Sequence, residues 1–155
     1  MRDAVGGTFM MYVLLVFLAV YITFVAVAFN YARAFRVKNK VIDIIEQNEG
    51  IDDYRNTSGA IGDIENYLNS VSYNVNSNGN SVTSSNCPGY VNNSDDHYFN
   101  NRGYCISRYT ATSDINGGTA SYYKVTTFVR LEIPFLNLGF TIPVKGETRK
   151  IERIS

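Results

Sequence analysis

The sequence has no tryptophan, one histidine and two cysteines, and its 14 basic and 14 acidic residues leave no net charge. Two cysteines and His97 cannot supply the four protein ligands of a structural zinc site. His97 has no nucleophile-elbow motif to serve, and no phosphate-binding glycine loop is present. A chain without excess positive charge is not a general binder of nucleic acids. We therefore expect neither an enzyme, nor a cofactor, nor a nucleic-acid partner.

Charge and proline are both missing from a long N-terminal run. No charged residue lies between Ala4 and Ala32, and no proline precedes Pro88. Residues 8–29 exceed the ~20 apolar residues that cross a bilayer as a helix, and they are longer than the ~7–15-residue apolar core of a secretory signal peptide. A buried helix of a soluble protein is the other alternative. We predict that the segment 8–30 spans a membrane or forms the core of a filament.

The helical pattern continues beyond the apolar run. Val37, Val41 and Ile44 recur at the spacing of one helix face, and Gly50 then offers a C-cap. The sequence predicts a single helix from about residue 4 to residue 48. Its first half is apolar all round and its second half is amphipathic, so residues 1–50 form one long helical unit.

The remaining chain, residues 51–155, predicts a small extracellular α+β domain. A short helix is expected over residues 58–71, with Thr57 or Ser58 as its cap. The Asn-rich residues 74–101 are expected to form an exposed loop with short strand pieces, because asparagine and serine side chains bond their own backbone.

Alternating apolar and polar residues near the C-terminus predict antiparallel strands, each with one buried face. The candidate strands are 104–112, 122–133, 138–144 and 147–154, and the apolar face of the third consists of Leu138, Phe140, Ile142 and Val144. That face needs a cover, which the amphipathic half of the long helix supplies. The predicted fold class is α+β, with a long N-terminal helix packed on a small antiparallel sheet.

The two cysteines, Cys87 and Cys105, lie in or beside the Asn-rich loop. A disulfide between them closes a loop of about 18 residues and stabilises the fold by ~3 kcal/mol in the chain-entropy model. Such a bond persists outside the cytoplasm; two unpaired thiols are the alternative. Residues 92–97 do not match a calcium loop, so we predict a solvated turn there. The glycosylation patterns at Asn56 and Asn92 are weak signals.

Small and polar residues are interspersed in the apolar run. Ala28 and Ala32 have the small-xxx-small spacing that lets two helices approach closely, and Tyr21 lies mid-span, where a protein partner suits it better than lipid does. Ordinary lipid-facing composition is the alternative. The residues expected to form the filament-core or membrane helix are Phe9, Tyr12, Leu15, Phe17, Tyr21, Phe24, Ala28 and Ala32.

Four cations and no acid follow the apolar run, in the segment YARAFRVKNK at residues 31–40. Basic residues beside a membrane span favour the cytoplasmic side, whereas the cysteines, the Asn-rich loop and the polar-faced sheet favour the outside. The continuing helix offers a second interpretation, in which these cations meet carboxylates of the same or adjacent subunits. The candidates for such an inter-subunit charge belt are Arg33, Arg36, Lys38 and Lys40.

The order of these elements resembles type IV pilins, in which an apolar N-terminal helix continues as an amphipathic half and a small disulfide-closed β domain follows. The segment RDAVGGTFMMYVLLVFLAVYITFVAVAFNYARAF is more specifically similar to pilin-like proteins of the tight-adherence (Tad) pilus class, and the closing IPFLNLGFTIPVKGETRKIERI is similar to their C-terminal strands. Gly6 and Gly7 are candidates for a processing site. One departure is that no glutamate lies between Ala4 and Ala32, where pilins usually carry one.

The resemblance implies a structural subunit that waits in the bacterial membrane. The pilus assembly machinery would then draw it into an extracellular helical filament of identical or related subunits. A single-pass membrane-anchored extracellular binding module, using the loop 74–103, is the alternative function. Such a module normally follows its anchor with a flexible linker, and no Gly/Ser/Pro linker lies between Ala32 and Gln47. The sequence therefore favours the pilin-like subunit.

Overall fold

The N-terminal run forms one uninterrupted helix in the computed structural model, which describes residues 2–54, 58–76, 82–89, 96–112, 119–133 and 138–152. This helix, α1, spans Arg2–Gln47. Its 46 residues extend ~69 Å at ~1.5 Å per residue, which is about twice the ~30 Å hydrocarbon core of a bilayer. The predicted single long helix is confirmed.

The other elements follow in the order α2 (Ala60–Ser70), a 3₁₀ turn (Ser84–Asn86), β1 (His97–Asn100), β2 (Tyr104–Thr112), β3 (Thr119–Ile133) and β4 (Leu138–Glu147). The described strands form one sheet in the order β1-β2-β3-β4, and each neighbouring pair is antiparallel. The α+β prediction is therefore confirmed, with the long helix packed on a small antiparallel sheet.

Two details of the predicted domain are wrong. The strand predicted over residues 147–154 is absent from its described part, because β4 ends at Glu147 and Ile151 makes an isolated bridge with Ser121. The N-cap of α2 is Gly59, which makes no side-chain cap bond, instead of Thr57 or Ser58; residue 57 lies outside the described part of the chain. The apolar face of α2 is as predicted, with Ile61, Ile64 and Leu68 buried.

The second half of α1 covers one face of the sheet. Val37, Val41 and Ile45 are buried there, and the Thr127 hydroxyl donates a hydrogen bond to the Ala34 carbonyl oxygen at 3.2 Å. Burying an aliphatic side chain of this size contributes about 1.5–3 kcal/mol. The expected packing of the amphipathic half on the sheet is therefore confirmed.

The opposite face of the sheet is tied to the Asn-rich segment. Cys105 and Thr126 are paired across β2 and β3. Thr126 directly precedes Thr127, whose side chain faces α1, and successive side chains of a strand point to opposite faces, so Cys105 and Thr126 point away from α1. Cys105 forms a disulfide with Cys87, as predicted. Val82 and Cys87 are buried although their neighbours are exposed, so the description of this segment as an exposed loop is incomplete.

Asn76 holds the start of the Asn-rich segment. Its side-chain oxygen accepts from the Val82 N–H at 2.7 Å. Its side-chain nitrogen donates to the carbonyl oxygens of Val82 at 3.1 Å and Asn101 at 2.7 Å. Bonding between asparagine and nearby backbone normally competes with regular structure, and here it gives an irregular segment a fixed conformation.

The C-terminus of α1 is a Schellman motif. The Gly50 N–H donates to the Ile45 carbonyl oxygen at 2.9 Å, and the Glu49 N–H donates to that of Glu46 at 3.3 Å. The left-handed C′ residue of this motif is Glu49, whose φ is 54°. Gly50, the predicted cap, follows it with a φ of 106°, which favours glycine. Gly50 is needed for a second reason, because an added Cβ would lie 2.7 Å from the Tyr123 hydroxyl oxygen.

Tyr73 satisfies backbone groups of β3 just past the end of its pairing with β2. Its hydroxyl donates to the Phe128 carbonyl oxygen at 2.8 Å and accepts from the Phe128 N–H at 3.2 Å. Burial raises the pKa of Tyr73 from its ordinary 10.0 to about 12. The pKa of Tyr73 is higher in the folded state than in the unfolded state, so protonation of its hydroxyl favours folding. This stabilisation is fully present below about pH 10 and is lost as the pH rises through about 12.

Candidate functional site

The first half of α1 is an apolar cylinder that the domain leaves uncovered. Among the described residues, α1 is the one helix long and apolar enough to cross a membrane, and none of its most apolar stretch is buried. All eight residues assigned to the filament-core or membrane helix are exposed: Phe9, Tyr12, Leu15, Phe17, Tyr21, Phe24, Ala28 and Ala32. An exposed apolar surface of this size marks a membrane or protein contact.

The polar group of Thr23 is satisfied inside this cylinder. Its hydroxyl donates to the Ala19 carbonyl oxygen, one turn earlier, at 2.9 Å. A hydroxyl bonded in this way can enter lipid or a helix bundle without leaving an unpaired donor. Thr23 therefore fits an apolar environment and needs no partner from a neighbouring helix.

The helix enters the domain at Ala34, which is the first buried residue of the described part of α1. Ala34 packs with Val129 and Val144, and Leu131 lies against the same small cluster. Because α1 is continuous through Ala34, no linker separates the apolar half from the domain.

Arg33, the first of the four cations after the apolar run, is used within the subunit. Its guanidinium donates to the carbonyl oxygens of Val71 and, at 2.8 Å, Ser72, at the C-terminal end of α2. A cation at this end of a helix binds unpaired carbonyl groups and complements the helix dipole. Arg33 therefore fastens α2 to α1, a contact that the sequence prediction of a charge belt missed.

Lys38 is also used within the subunit, and its side chain is buried. A Cβ at Gly146 would lie 2.8 Å from the Lys38 Cδ, so the glycine leaves room for the lysine stem. The ammonium lies 4.2 Å from the centroid of the Phe35 ring, within range of a cation–π interaction. The stem therefore packs on the sheet and the ammonium lies against the Phe35 ring.

Arg36 and Lys40 differ from the other two cations. Arg36 is exposed and Lys40 is partly exposed, and neither makes a hydrogen bond or an ion pair within the described residues. These two positions remain the candidates for contacts with another subunit. The inter-subunit belt of Arg33, Arg36, Lys38 and Lys40 stays a prediction, in which Arg36 and Lys40 are the two cations without such a partner within the described residues.

A matched pair of substitutions separates these roles. Arg33→Gln removes a charged hydrogen-bond donor and should cost about 1 kcal/mol, which lowers the Tm of the domain by about 4–8 °C. Arg36→Gln should leave the Tm unchanged, because Arg36 has no described partner within the subunit. The measurement is thermal unfolding of the full chain in detergent; equal Tm values for the two variants would contradict the assignment.

A groove lies beside the junction, between α1 and the C-terminal end of α2. Its volume is about 520 Å³. It is lined by Phe29, Asn30, Ala32, Arg33, Arg36, Val37, Tyr67 and Val71. The lining combines apolar side chains with Asn30, Tyr67 and two arginines, which suits an apolar segment that carries a polar or acidic group.

The rest of the described surface carries isolated ion pairs. Arg149 contacts Glu46 at 3.1 Å, and Lys124 contacts Glu147 at 3.1 Å. Exposed pairs of this kind contribute about 0–1 kcal/mol. Within the described residues, no group of three His, Cys, Asp or Glu side chains is placed to hold a metal ion.

The weaker sequence signals fall mostly outside the described part of the chain, including the glycosylation patterns at 56–57 and 92–94. Of the segment 92–97 considered for calcium, residues 92–95 also lie outside it. Asp96 binds Arg108 at 2.7 Å, and the His97 Nδ1 lies 2.9 Å from the Ser107 hydroxyl oxygen. Both side chains therefore have protein partners.

One prediction about the sheet is wrong in a way that bears on function. Phe140 and Ile142 were predicted to share a buried face with Val144, yet Phe140 is 50% exposed and Ile142 is 40% exposed, whereas Val144 is buried. The predicted alternation of faces along β4 is correct, but α1 does not cover the half of the strand that carries Phe140 and Ile142, so these side chains stay exposed. The side chain of Leu138 is outside the description.

Comparison with known proteins gives no relatives, since no family model, no curated protein and no solved structure matches the chain. The observations that bear on function are therefore the uncovered apolar helix, its continuous junction with the domain and the disulfide.

Proposed function

We propose that the chain is a structural, non-catalytic pilin-like subunit of the tight-adherence class, which assembles through the apolar half of α1 into an extracellular filament. The observation that carries the proposal is the uncovered apolar half of a helix whose other half is part of the domain core. Lipid covers this surface before assembly. The apolar helices of neighbouring subunits cover it afterwards.

The continuous junction favours a filament subunit over a tethered binding module. An anchor needs ~20 residues of helix, whereas α1 has 46 and continues into the domain with Ala34 and Val37 buried. In a helical filament this continuity fixes the domain relative to the core helices. The alternative module would use the Asn-rich loop, yet Val82 and Cys87 of that loop face the protein core.

Neighbouring copies are the partners that the surface chemistry fits. Ala28 and Ala32 allow close helix packing, and the groove beside the junction offers an apolar seat for the helix of the next subunit. Arg36 and Lys40 lie at this level and can pair with carboxylates of an adjacent copy. The homopolymer is helical in this proposal because such contacts are heterologous and do not close.

The outside of the cell is the proposed location of the domain. A disulfide persists in oxidising compartments, and Cys87 and Cys105 form one. The cations after the apolar run argue for the opposite side, but Arg33 and Lys38 have roles inside the folded domain. The charge count is therefore weaker evidence on topology than the disulfide.

Negative-stain microscopy of material sheared from cells tests the function. We expect thin filaments that bind an antibody against the domain, and a matched strain lacking the chain should give none. Recovery of the chain solely as a detergent-soluble monomer in membranes would favour the anchored binding module and would contradict the filament.

A further inference from the structure

The distal half of the β3–β4 hairpin runs back along α1 toward the apolar end. The Ile51 N–H, just past the end of α1, donates to the Tyr123 hydroxyl at 3.0 Å, and Thr127 bonds to Ala34 at 3.2 Å. The chain direction of β3 is therefore opposite to that of α1. The residues of β3 beyond Thr127 lie alongside progressively earlier turns of the helix.

The distance covered can be estimated from the geometry of the two elements. Leu131 lies four positions after Thr127, which is ~13 Å at ~3.3 Å per strand residue. For a strand parallel to the helix axis, the same distance is about nine helical residues at ~1.5 Å each, so Leu131 and its partner Phe140 reach at most the level of about residue 25 of α1. This level is roughly 6 Å inside the end of the apolar run at residue 29.

Three apolar side chains are exposed at this end of the domain. Phe35 is 44% exposed, and Phe140 and Ile142 are exposed as described above. Phe140 pairs with Leu131 and Ile142 with Val129, so both side chains are on the sheet face that carries α1. We call Phe35, Phe140 and Ile142 the apolar rim.

The charges near the apolar rim are mostly positive. Arg36 follows Phe35 directly and is exposed, and the Lys38 ammonium lies 4.2 Å from the centroid of the Phe35 ring. On α1 no acid occurs between Asp3 and Asp43, and on the hairpin Glu132 is the one acid before Glu147. An apolar rim flanked by cations matches the interface of an anionic bilayer, where apolar side chains lie ~5–10 Å deep and basic ones meet the head groups.

We propose that the apolar rim is a second membrane contact, which lies in the interfacial layer of an anionic phospholipid bilayer while the subunit waits for assembly. The inference rests on the proposed membrane stage of the subunit. Its occupant is lipid and not a second copy, because the rim is at the depth where the apolar helix leaves the bilayer and is continuous with that exposed helix surface. The contact fixes the tilt and rotation of the domain on the membrane.

The absence of tryptophan provides a direct test. Phe140→Trp gives the full chain a single tryptophan at the rim. The variant is reconstituted in vesicles of phosphatidylglycerol and phosphatidylcholine, with and without acyl-chain bromination close to the glycerol backbone. We expect bromination to quench most of the tryptophan emission. The matched control Tyr109→Trp replaces an aromatic residue that stacks on Tyr122, at the other end of the sheet, and it should be unaffected.

A third reporter separates this inference from the proposed function. Phe17→Trp lies within the apolar half of α1, near the middle of the apolar run. In vesicles whose acyl chains are brominated close to their methyl ends, it should be quenched in every case in which that half enters the bilayer. Quenching of Phe17→Trp without quenching of Phe140→Trp would overturn the apolar rim as a lipid contact and leave the membrane stage standing. Absence of quenching in both would contradict the membrane stage as well.

Two further outcomes complete the test. A blue-shifted Phe140→Trp emission that is not quenched, and that depends on the protein-to-lipid ratio, would mean that a second copy covers the rim and would overturn the proposal. If Phe140→Trp does not form the disulfide-bonded domain, Phe35→Trp replaces it as the rim reporter. Quenching of Phe35→Trp would support the proposal, and its absence would overturn it.

Discussion

Phe17→Lys should eliminate filaments while leaving the domain folded. Phe17 is near the middle of the apolar segment and fully outside the domain core. A lysine at such a depth costs about 2.5–3.5 kcal/mol, roughly a hundredfold in the equilibrium for each subunit. The same penalty applies among packed apolar helices, where the charge would be buried without a partner. The measurement is the filament yield in sheared material, normalised to the total amount of the chain.

The matched control is Gln47→Lys, which adds the same residue to the same helix. Gln47 is exposed at the last position of α1, where a cation complements the helix dipole. We expect its filament yield to equal that of the wild type. Formation of the Cys87–Cys105 disulfide in Phe17→Lys shows that the domain has folded. A normal filament yield from Phe17→Lys would refute assembly through the apolar half.

Removing the disulfide should cause the largest loss of stability in the domain. The double variant Cys87→Ala/Cys105→Ala opens a loop whose ends are separated by 18 positions, and the chain-entropy model gives a cost of ~3 kcal/mol. Both cysteines are buried, so lost packing adds to this value. For a domain of this size the Tm should fall by roughly 10–25 °C, as measured by thermal unfolding of the full chain in detergent.

Reduction provides the control for that measurement. Wild-type chain in excess reductant should unfold close to the Tm of the double variant, since both lack the same cross-link. The Arg36→Gln variant, which keeps the disulfide, should unfold at the wild-type temperature under oxidising conditions. A double variant with the wild-type Tm would show that the Asn76 bonds and the buried Val82 hold the segment by themselves.

The elements of the fold were predictable where one local pattern decides the outcome. A run without charge or proline forms α1, helical spacing of Ile61, Ile64 and Leu68 forms α2, and period-two alternation forms β3 and β4. In each case the signal is the match between side-chain chemistry and backbone period. Two cysteines in or beside the Asn-rich segment similarly identified the disulfide.

The errors arise where tertiary placement decides. Alternation assigned Phe140 and Ile142 to the correct face of β4, but nothing in the alternation reveals that one helix is too narrow to cover an edge strand. The cations Arg33 and Lys38 resemble a surface belt in the sequence. Their partners, the end of α2 and the space left by Gly146, are distant in the chain and become visible only after folding.

The Asn-rich segment is a further case in which the sequence predicts local structure but does not reveal tertiary contacts. Its composition favours irregular structure, and the regular elements in its described part are a 3₁₀ turn (Ser84–Asn86) and the short strand β1 (His97–Asn100). Composition does not show that Asn76 bonds the backbone at two distant points, or that Val82 enters the core. The functional consequence is that the described part of this segment works as a cover for the sheet.

Helical reconstruction of sheared filaments by electron cryo-microscopy tests the central claim most directly. The account predicts a filament whose axis is a bundle of apolar helix halves from successive subunits, with the disulfide-bonded domains outside and Arg36 and Lys40 at contacts between subunits. Filaments that lack the chain, or a reconstruction in which the apolar halves lie on the outer surface, would contradict it.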